Sequence, residues 1–338
     1  ALAVDQTRVG LAAGLILIAI GSGVIKPCVS ANVGDQFGKS NQHLLERIYS
    51  WFYFSINFGA CLANLSVPVL LDRWGPRVAF GTSAVFMLLA TVAFWLGRKR
   101  FVHVPAAGIG FVKEAFSGEG LRAIGKLCLI YIFIVMFWAL FDQMDSAWVL
   151  QAEQMDRRWL GHDWLPSQIV AANPVLIMLL IPFFSYVGYP LLNRVFRLTP
   201  LRKISIGMFV MVAAYVFSAW IQSRIDGGGK PSIGWMFIGY VILTSSEVMV
   251  SITSLEFSYT QAPRKIKSFI MAIYLLSISV GNAFTAVVNA VIVNEDGSSK
   301  LAGSHYFLFF AGMMLLAAVV FIPFAACYKE KTYIQDES

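Results

Sequence analysis

A lysine lies well inside the first long apolar stretch of the sequence. Lys26 occurs in Gly21-Ser-Gly-Val-Ile-Lys-Pro27, where an unpaired ammonium group is costly to remove from water. Ser22 and Ser30 lie four residues on either side and share its helix face. We expect this face to point inward, with an acidic partner or a wet cavity beside Lys26. The alternative is a lysine that extends along the apolar surface to the membrane interface.

Two later apolar stretches contain carboxylates. Trp138, Asp142 and Asp145 are spaced i, i+4 and i+7, which predicts one shared helix face. Asp142 is predicted to lie inside, whereas Asp145 can equally face the external headgroups. Glu247 lies near the centre of its stretch and is predicted to be buried; Glu256 lies near the end and is not.

Uncharged polar residues accompany these carboxylates. Ser251 and two further serines, at positions 254 and 258, follow Glu247 at i+4, i+7 and i+11, which predicts a hydrophilic stripe. Asn57 and Asn173 add donors and acceptors within two other stretches. Each asparagine either serves a polar site or simply bridges neighbouring helices.

Enzymatic chemistry has no visible residues to perform it. The sequence contains no nucleophile elbow, phosphate loop or His-Glu-x-x-His motif, and its four cysteines lack metal-ligand spacing. The four histidines fall in connectors or at the ends of apolar stretches. We therefore expect no enzyme, cofactor or metal site, and we expect carboxylates to carry any proton coupling.

Membrane helices must position these residues. Of the 338 residues, 58% are hydrophobic and 13% charged, about half the charge of a soluble domain. Nine stretches are long enough to cross a bilayer as helices. The predicted spans are 9–34, 48–71, 78–97, 127–151, 168–191, 204–222, 233–257, 268–293 and 306–328.

The basic residues follow the membrane topology and do not form a patch for nucleic acid. Alternate connectors carry 17 of the 26 lysines and arginines against eight, with Lys26 inside a span. The positive-inside rule predicts a cytoplasmic C-terminus and an external residue 1. We expect a fragment that lacks an odd number of upstream helices.

Longer motifs carry a resemblance to a known family. The chain resembles the proton-dependent oligopeptide transporter (POT, or PTR) family of the major facilitator superfamily, nearly from end to end. The motifs that carry the resemblance are Gly21–Ser30, Asp35–Phe37, Phe52–Gly59, Phe137–Gln143, Asn173-Pro174, Leu255–Pro263 and Gly281-Asn282.

The resemblance implies an all-α membrane protein with the major facilitator superfamily fold. The nine helices would correspond to helices four to twelve of twelve. The implied domains are the remainder of the N-terminal six-helix bundle (1–97), a cytoplasmic linker (98–126), a C-terminal six-helix bundle (127–328) and a cytoplasmic tail (329–338).

The resemblance also implies a proton-coupled symporter that imports di- and tripeptides by alternating access. Lys26 would contact the peptide carboxylate or pair with Asp142, whose protonation would release it. Asn57 and Asn173 would bind the peptide backbone, and Glu247 its amino terminus as well as protons.

Further substrate contacts are expected from Ser251, Tyr274 and Trp138. The sequence departs from the family pattern in three places: the first-helix Glu-x-x-Glu-Arg motif is absent, Met144-Asp145 replaces the commoner Gln-Gly, and Tyr274 replaces a frequent Trp. These departures bear on proton coupling and side-chain preference.

Two alternatives stay open: a same-fold carrier of an amino acid or nitrate, and a truncated membrane binding module that does not transport. The expected partners are small peptides and the lipid bilayer, with no nucleic acid. We expect a multi-pass protein of the cell membrane that is monomeric when complete.

Overall fold

Long helices joined by short connectors make up the structure. The computed structural model describes residues 7–102, 104, 108–294 and 299–333; predicted features at the remaining positions lie outside the described residues. The helices are α1 (Arg8–Asp35), α2 (Leu45–Gly97), α3 (Ile109–Ala115), α4 (Gly118–Phe141), α5 (Ala147–Glu153), α6 (Ala172–Phe183), α7 (Tyr189–Val195), α8 (Pro200–Asp226), α9 (Gly234–Glu247), α10 (Thr253–Gln261), α11 (Lys267–Ile292) and α12 (Ser304–Cys327).

Eight helical spans in the described ranges are long and apolar enough to cross a membrane. The predicted spans 48–71 and 78–97 both lie in α2, which Gly75 divides with a φ of 76°. Glycine adopts this left-handed conformation without a Cβ clash. Segment 48–71 is helical and carries polar residues such as Asn57; the span found in α2 begins at Val69.

Three membrane helices are interrupted rather than continuous. A 3₁₀ segment (Asp142–Asp145) links α4 to α5, and π segments link α6 to α7 (Phe184–Gly188) and α9 to α10 (Val248–Ile252). Such π segments occur frequently at functional sites. Two of the three interruptions lie beside carboxylates selected from the sequence.

The connectors contain structure that the sequence did not predict. The predicted linker 98–126 includes α3 and the first turns of α4. A two-stranded antiparallel hairpin, β1 (Arg158–Trp159) and β2 (His162–Asp163), follows α5. These additions are small, and the architecture remains helical.

The buried core lies mainly among the helices from α4 onward. There α8 packs against α12 and α9, and α4 packs against α11. Gly281 permits the last contact, because a Cβ at this position would lie 2.7 Å from the Val135 carbonyl oxygen. By contrast, α1 and the second part of α2 bury few side chains, so their apolar surfaces lie on the outside of the described structure.

Candidate functional site

Glu247 lies at the centre of the candidate site. It is the last residue of α9, directly before a π segment, and is 3% exposed. Its Oε1 accepts a 2.6 Å hydrogen bond from the Tyr53 hydroxyl of α2, and its Oε2 accepts a 2.8 Å bond from Asn173 Nδ2 of α6. One buried carboxylate therefore connects three helices.

Asn173 extends this group of contacts, while Asn57 lies beside it. The Nδ2 atom of Asn173 also donates to Thr244 Oγ1 at 3.1 Å. Asn57 is buried, and its Nδ2 donates to the carbonyl oxygen of Tyr53 at 3.0 Å. Asn57 thus supports the helix turn that carries Tyr53, and among the described residues no hydrogen bond to Asn57 Oδ1 occurs.

The last two serines after Glu247 contact other helices than Glu247 does. All three serines are buried, but the π segment shifts the helix phase after Glu247. Ser258 accepts a 2.8 Å hydrogen bond from Tyr131 of α4, and Ser254 contacts Tyr274 of α11 at 3.2 Å. The later serines therefore face α4 and α11, whereas Glu247 faces α2 and α6.

Ser251 and Tyr274 lie beside Tyr53, one of the two partners of Glu247. Ser251 is 1% exposed, and its hydroxyl oxygen has no hydrogen-bond partner within the described residues. Tyr274 is also buried and donates to the Ser251 carbonyl oxygen at 3.3 Å. An unpaired buried hydroxyl is costly, so Ser251 is suited to a bound ligand or water.

The predicted shared face holds for Trp138 and Asp142, which both contact α11 at Gly281-Asn282, but not for Asp145. Helix α4 ends at Phe141, and Asp145 is the last residue of the 3₁₀ segment that follows, whose tighter turn changes its direction. Trp138 is buried with its indole nitrogen unpaired among the described residues, Asp142 is half-buried and Asp145 is exposed. Of the two aspartates, Asp142 alone retains the inward position.

Lys26 and Asp142 do not form an ion pair in this structure. Asp142 Oδ2 instead accepts a 2.7 Å hydrogen bond from Asn282 Nδ2 of α11. Lys26 is exposed on α1, and its ammonium group makes no hydrogen bond or ion pair within the described part of the chain. Helix α1 and the 3₁₀ segment that carries Asp142 both contact α11.

Three hydrogen-bond partners of the predicted site residues are not themselves among the predicted site residues. They are Tyr53, Thr244 and Asn282. Tyr53 precedes Asn57 by four residues, and Thr244 precedes Glu247 by three, so helical spacing is a signal for both. Asn282 follows Gly281, where α11 approaches α4 most closely. No local pattern connects Asn282 with Asp142.

A second group of charged residues lies near the start of α2, the start of α8 and the start of α11. Lys203, counted from sequence as a connector cation, is only 6% exposed and pairs with Glu46 of α2. Tyr259 donates to Asp35 at 2.8 Å, and the buried Lys267 ammonium lies 3.5 Å from the centroid of its ring. These contacts join α1 and α2 to the later helices.

Known proteins are similar to this chain in sequence and in structure. The chain matches the POT family over residues 6–117 and 111–309. It is 32% identical over 269 residues to Peptide transporter 3 of Caenorhabditis elegans, and 32% identical over 297 residues to Solute carrier family 15 member 1 of Mus musculus. These matches cover 67% and 73% of the chain but 38% and 42% of the relatives, so the chain spans about two fifths of their length.

Solved structures extend the similarity to the whole chain. The crystal structure of an auto-inhibited POT family peptide transporter has a TM-score of 0.77 at 31% identity, covering 99% of this chain and 81% of that one. The POT family transporter PepTSo gives 0.75 at 34% identity, covering 96% and 80%. The predicted major facilitator superfamily fold is confirmed. The chain therefore belongs to the POT family.

Proposed function

We propose that this protein is a proton-coupled symporter that imports di- and tripeptides across the cell membrane by alternating access. The observation that carries the proposal is the buried Glu247 carboxylate, shared by Tyr53 and Asn173. This carboxylate links α2, from the first half of the chain, to α6 and α9, from the second. A group that binds either substrate or proton at this position can change the contact between the halves.

The amino terminus of a peptide is the cation that best suits Glu247. Burial makes an unpaired carboxylate costly, so a charged amine or a proton must stabilise it. Tyr53 and Asn173 hold the two carboxylate oxygens in fixed positions while leaving lone pairs for a further donor. Asn57 and Asn173 are suited to contact the peptide backbone. Further contacts with the peptide are proposed for Ser251, Tyr274 and Trp138, which lie on neighbouring helical segments.

Lys26 is proposed to bind the peptide carboxylate in one state and Asp142 in another. Its ammonium group has no polar partner among the described residues, whereas Asp142 is held by Asn282. Protonation of Asp142 would release Lys26 to the peptide; loss of that proton on the inner side would restore the pair and expel the substrate.

The orientation and location of the chain are further parts of the proposal. One set of alternate connectors carries 17 lysines and arginines and the other carries eight, which supports a chain in the cell membrane with its C-terminus in the cytoplasm. Small peptides are the proposed substrates, with protons as the coupling ions and no further cofactor. The similarity to proteins named as peptide transporters supports a peptide over an amino acid or nitrate.

Uptake by reconstituted protein tests the proposal. Proteoliposomes containing the protein are given a dialanine substrate and an inward proton gradient, and Glu247→Gln is compared with the exposed Glu153→Gln. We expect Glu247→Gln to reduce gradient-driven uptake at least about tenfold, the effect of losing one charge-assisted contact, while the control stays near the unmodified protein. Undiminished uptake by Glu247→Gln would contradict the assignment of Glu247.

The same vesicles distinguish the alternatives. Dialanine binding without uptake in the unmodified protein would favour a membrane binding module. Proton movement driven by nitrate or a free amino acid, but not by dialanine, would favour a different substrate class. Either result would reject the peptide symporter.

A further inference from the structure

A cavity outside the candidate peptide site lies between the start of α2 and the helix formed by α6 and α7. Its volume is about 530 Å³, and the first residues of α8 close one end. Its lining contains neither Glu247 nor Lys26 nor Asp142. The cavity is therefore a separate feature of the fold, and its role does not depend on peptide transport.

One end of the cavity is positively charged. Arg47 lines it from the start of α2, His43 from the 3₁₀ turn just before α2, and Lys203 from α8. The Lys203 ammonium pairs with Glu46 and lies 4.4 Å from the centroid of the Tyr189 ring. The lining itself carries one carboxylate against two permanent cations, and a second carboxylate, Glu256, lies close to Lys203 outside the lining.

Arg47 is the cation available to a ligand. Its side chain is exposed and makes no hydrogen bond or ion pair with the described residues. A guanidinium group presents several donors in a planar fork that matches the oxygens of a phosphate. The buried, already paired Lys203 adds a fixed positive charge deeper in the cavity.

Most of the remaining lining is apolar. Trp51 and Tyr186 are 51% and 63% exposed, Pro182 is exposed as well, and Ile181 is buried. The α6–α7 helix belongs to the membrane span Gln168–Val195, so this side of the cavity adjoins the acyl chains. Tryptophan and tyrosine are enriched where acyl chains meet headgroups.

A ligand for this cavity must therefore combine an anionic head with apolar tails. Free phosphate would leave the apolar walls unused, and a fatty acyl chain alone would leave Arg47 unpaired. Basic pockets between membrane helices on the cytoplasmic side bind anionic lipid headgroups. Two exposed arginines, Arg194 in the last turn of α7 and Arg197 in the connector that follows, strengthen the positive potential at this end.

We propose that this cavity binds one anionic phospholipid. The phosphodiester lies beside Arg47, with Lys203 behind it, and an acyl chain follows the surface formed by Trp51 and Tyr186. The lipid fills the space between α2 and α6–α7, and so contacts both halves of the chain.

Lipid titration of the purified full chain in neutral detergent tests the proposal. Native mass spectrometry measures the affinities for phosphatidylglycerol and for phosphatidylcholine with the same acyl chains. The test variant is Arg47→Gln, whose exposed position leaves folding intact; the matched control is Arg100→Gln, an exposed arginine at the same end outside the cavity.

We expect phosphatidylglycerol to bind at least about tenfold more tightly than phosphatidylcholine, and Arg47→Gln to remove most of that difference. Arg100→Gln should change the affinity less than about twofold, because it alters only the general surface charge. Equal affinity for the two lipids, or equal losses in the two variants, would overturn the specific site. Complete displacement of phosphatidylglycerol by excess inorganic phosphate would overturn the lipid as its occupant.

Discussion

The hydroxyl group of Tyr53 donates a 2.6 Å hydrogen bond to Glu247 Oε1 and so joins α2 to α9. The two residues are 194 positions apart in the sequence. This contact places the most deeply buried acidic residue of the candidate site between the two halves of the chain.

Replacing Tyr53 with Phe should weaken the contact between α2 and α9. The ring is retained, and one donor to a buried carboxylate is lost, which costs about 0.6–1.7 kcal/mol in membrane proteins. The thermal unfolding midpoint in detergent should fall measurably. Tyr306→Phe is the control, because its hydroxyl bonds to the exposed Asn289; an equal fall in both variants would argue against a special role for Tyr53.

Replacing Asn173 with Leu should reduce dipeptide uptake. The substitution leaves Glu247 with Tyr53 as its only hydrogen-bond donor among the described residues, and it deprives Thr244 of its partner. Uptake in proteoliposomes should decrease by about tenfold. The exposed Asn64→Leu on α2 provides the control, and unchanged transport by Asn173→Leu would remove Asn173 from the proposed site.

The proposed exchange of Lys26 between peptide and Asp142 predicts coupled effects. Lys26→Ala and Asp142→Asn should each reduce proton-driven dialanine uptake, and the double variant should lose less than the sum of the two. Lys230→Ala, in an exposed connector, should transport normally. Fully additive losses would show that Lys26 and Asp142 never act as a pair.

A methyl group at Gly281 should separate α4 from α11. The added Cβ would meet the Val135 carbonyl oxygen at 2.7 Å and the Ala139 nitrogen at 2.8 Å, and backbone atoms cannot move aside easily. Gly281→Ala should therefore destabilise the protein by about 1–3 kcal/mol. Gly312→Ala has nothing within 4 Å of its new Cβ and should leave the unfolding midpoint unchanged; equal effects would refute the close packing.

The segment after α12 should separate from the bundle when Glu119 is neutralised. Glu119 accepts hydrogen bonds from Lys331 Nζ at 2.5 Å and the Tyr333 hydroxyl at 2.6 Å. The bond to Glu119 raises the pKa of Lys331, so Lys331 stays protonated at neutral pH, and the contact is lost as the pH rises through that pKa.

Hydrogen exchange measures this local effect. Glu119→Gln should accelerate amide exchange in residues 328–333 without changing the global unfolding midpoint, because the pair is exposed to solvent. Glu330→Gln, at an exposed position, is the control and should leave amide exchange in residues 328–333 as slow as in the unmodified protein. Unchanged protection in Glu119→Gln would show that other contacts hold the segment.

The sequence alone determined the membrane class, the helical stretches and the residues of greatest functional interest. Runs of about 20 apolar residues permit little other than membrane helices. Against that background, Lys26, Asp142 and Glu247 stand out because buried charges are costly. Asn57 follows Tyr53 by four residues, so the sequence also indicates that the two share a helix face, but it does not identify Tyr53 as a site residue.

Only the tertiary structure decided where the helices break and which polar groups meet. The 3₁₀ segment at Asp142–Asp145 and the π segment at Val248–Ile252 change the direction of the side chains that follow, and hydropathy does not report such changes of backbone register. The contacts of Glu247 with Tyr53 and of Asp142 with Asn282 join distant parts of the chain. Periodicity describes one helix at a time, whereas these contacts depend on how several helices pack together.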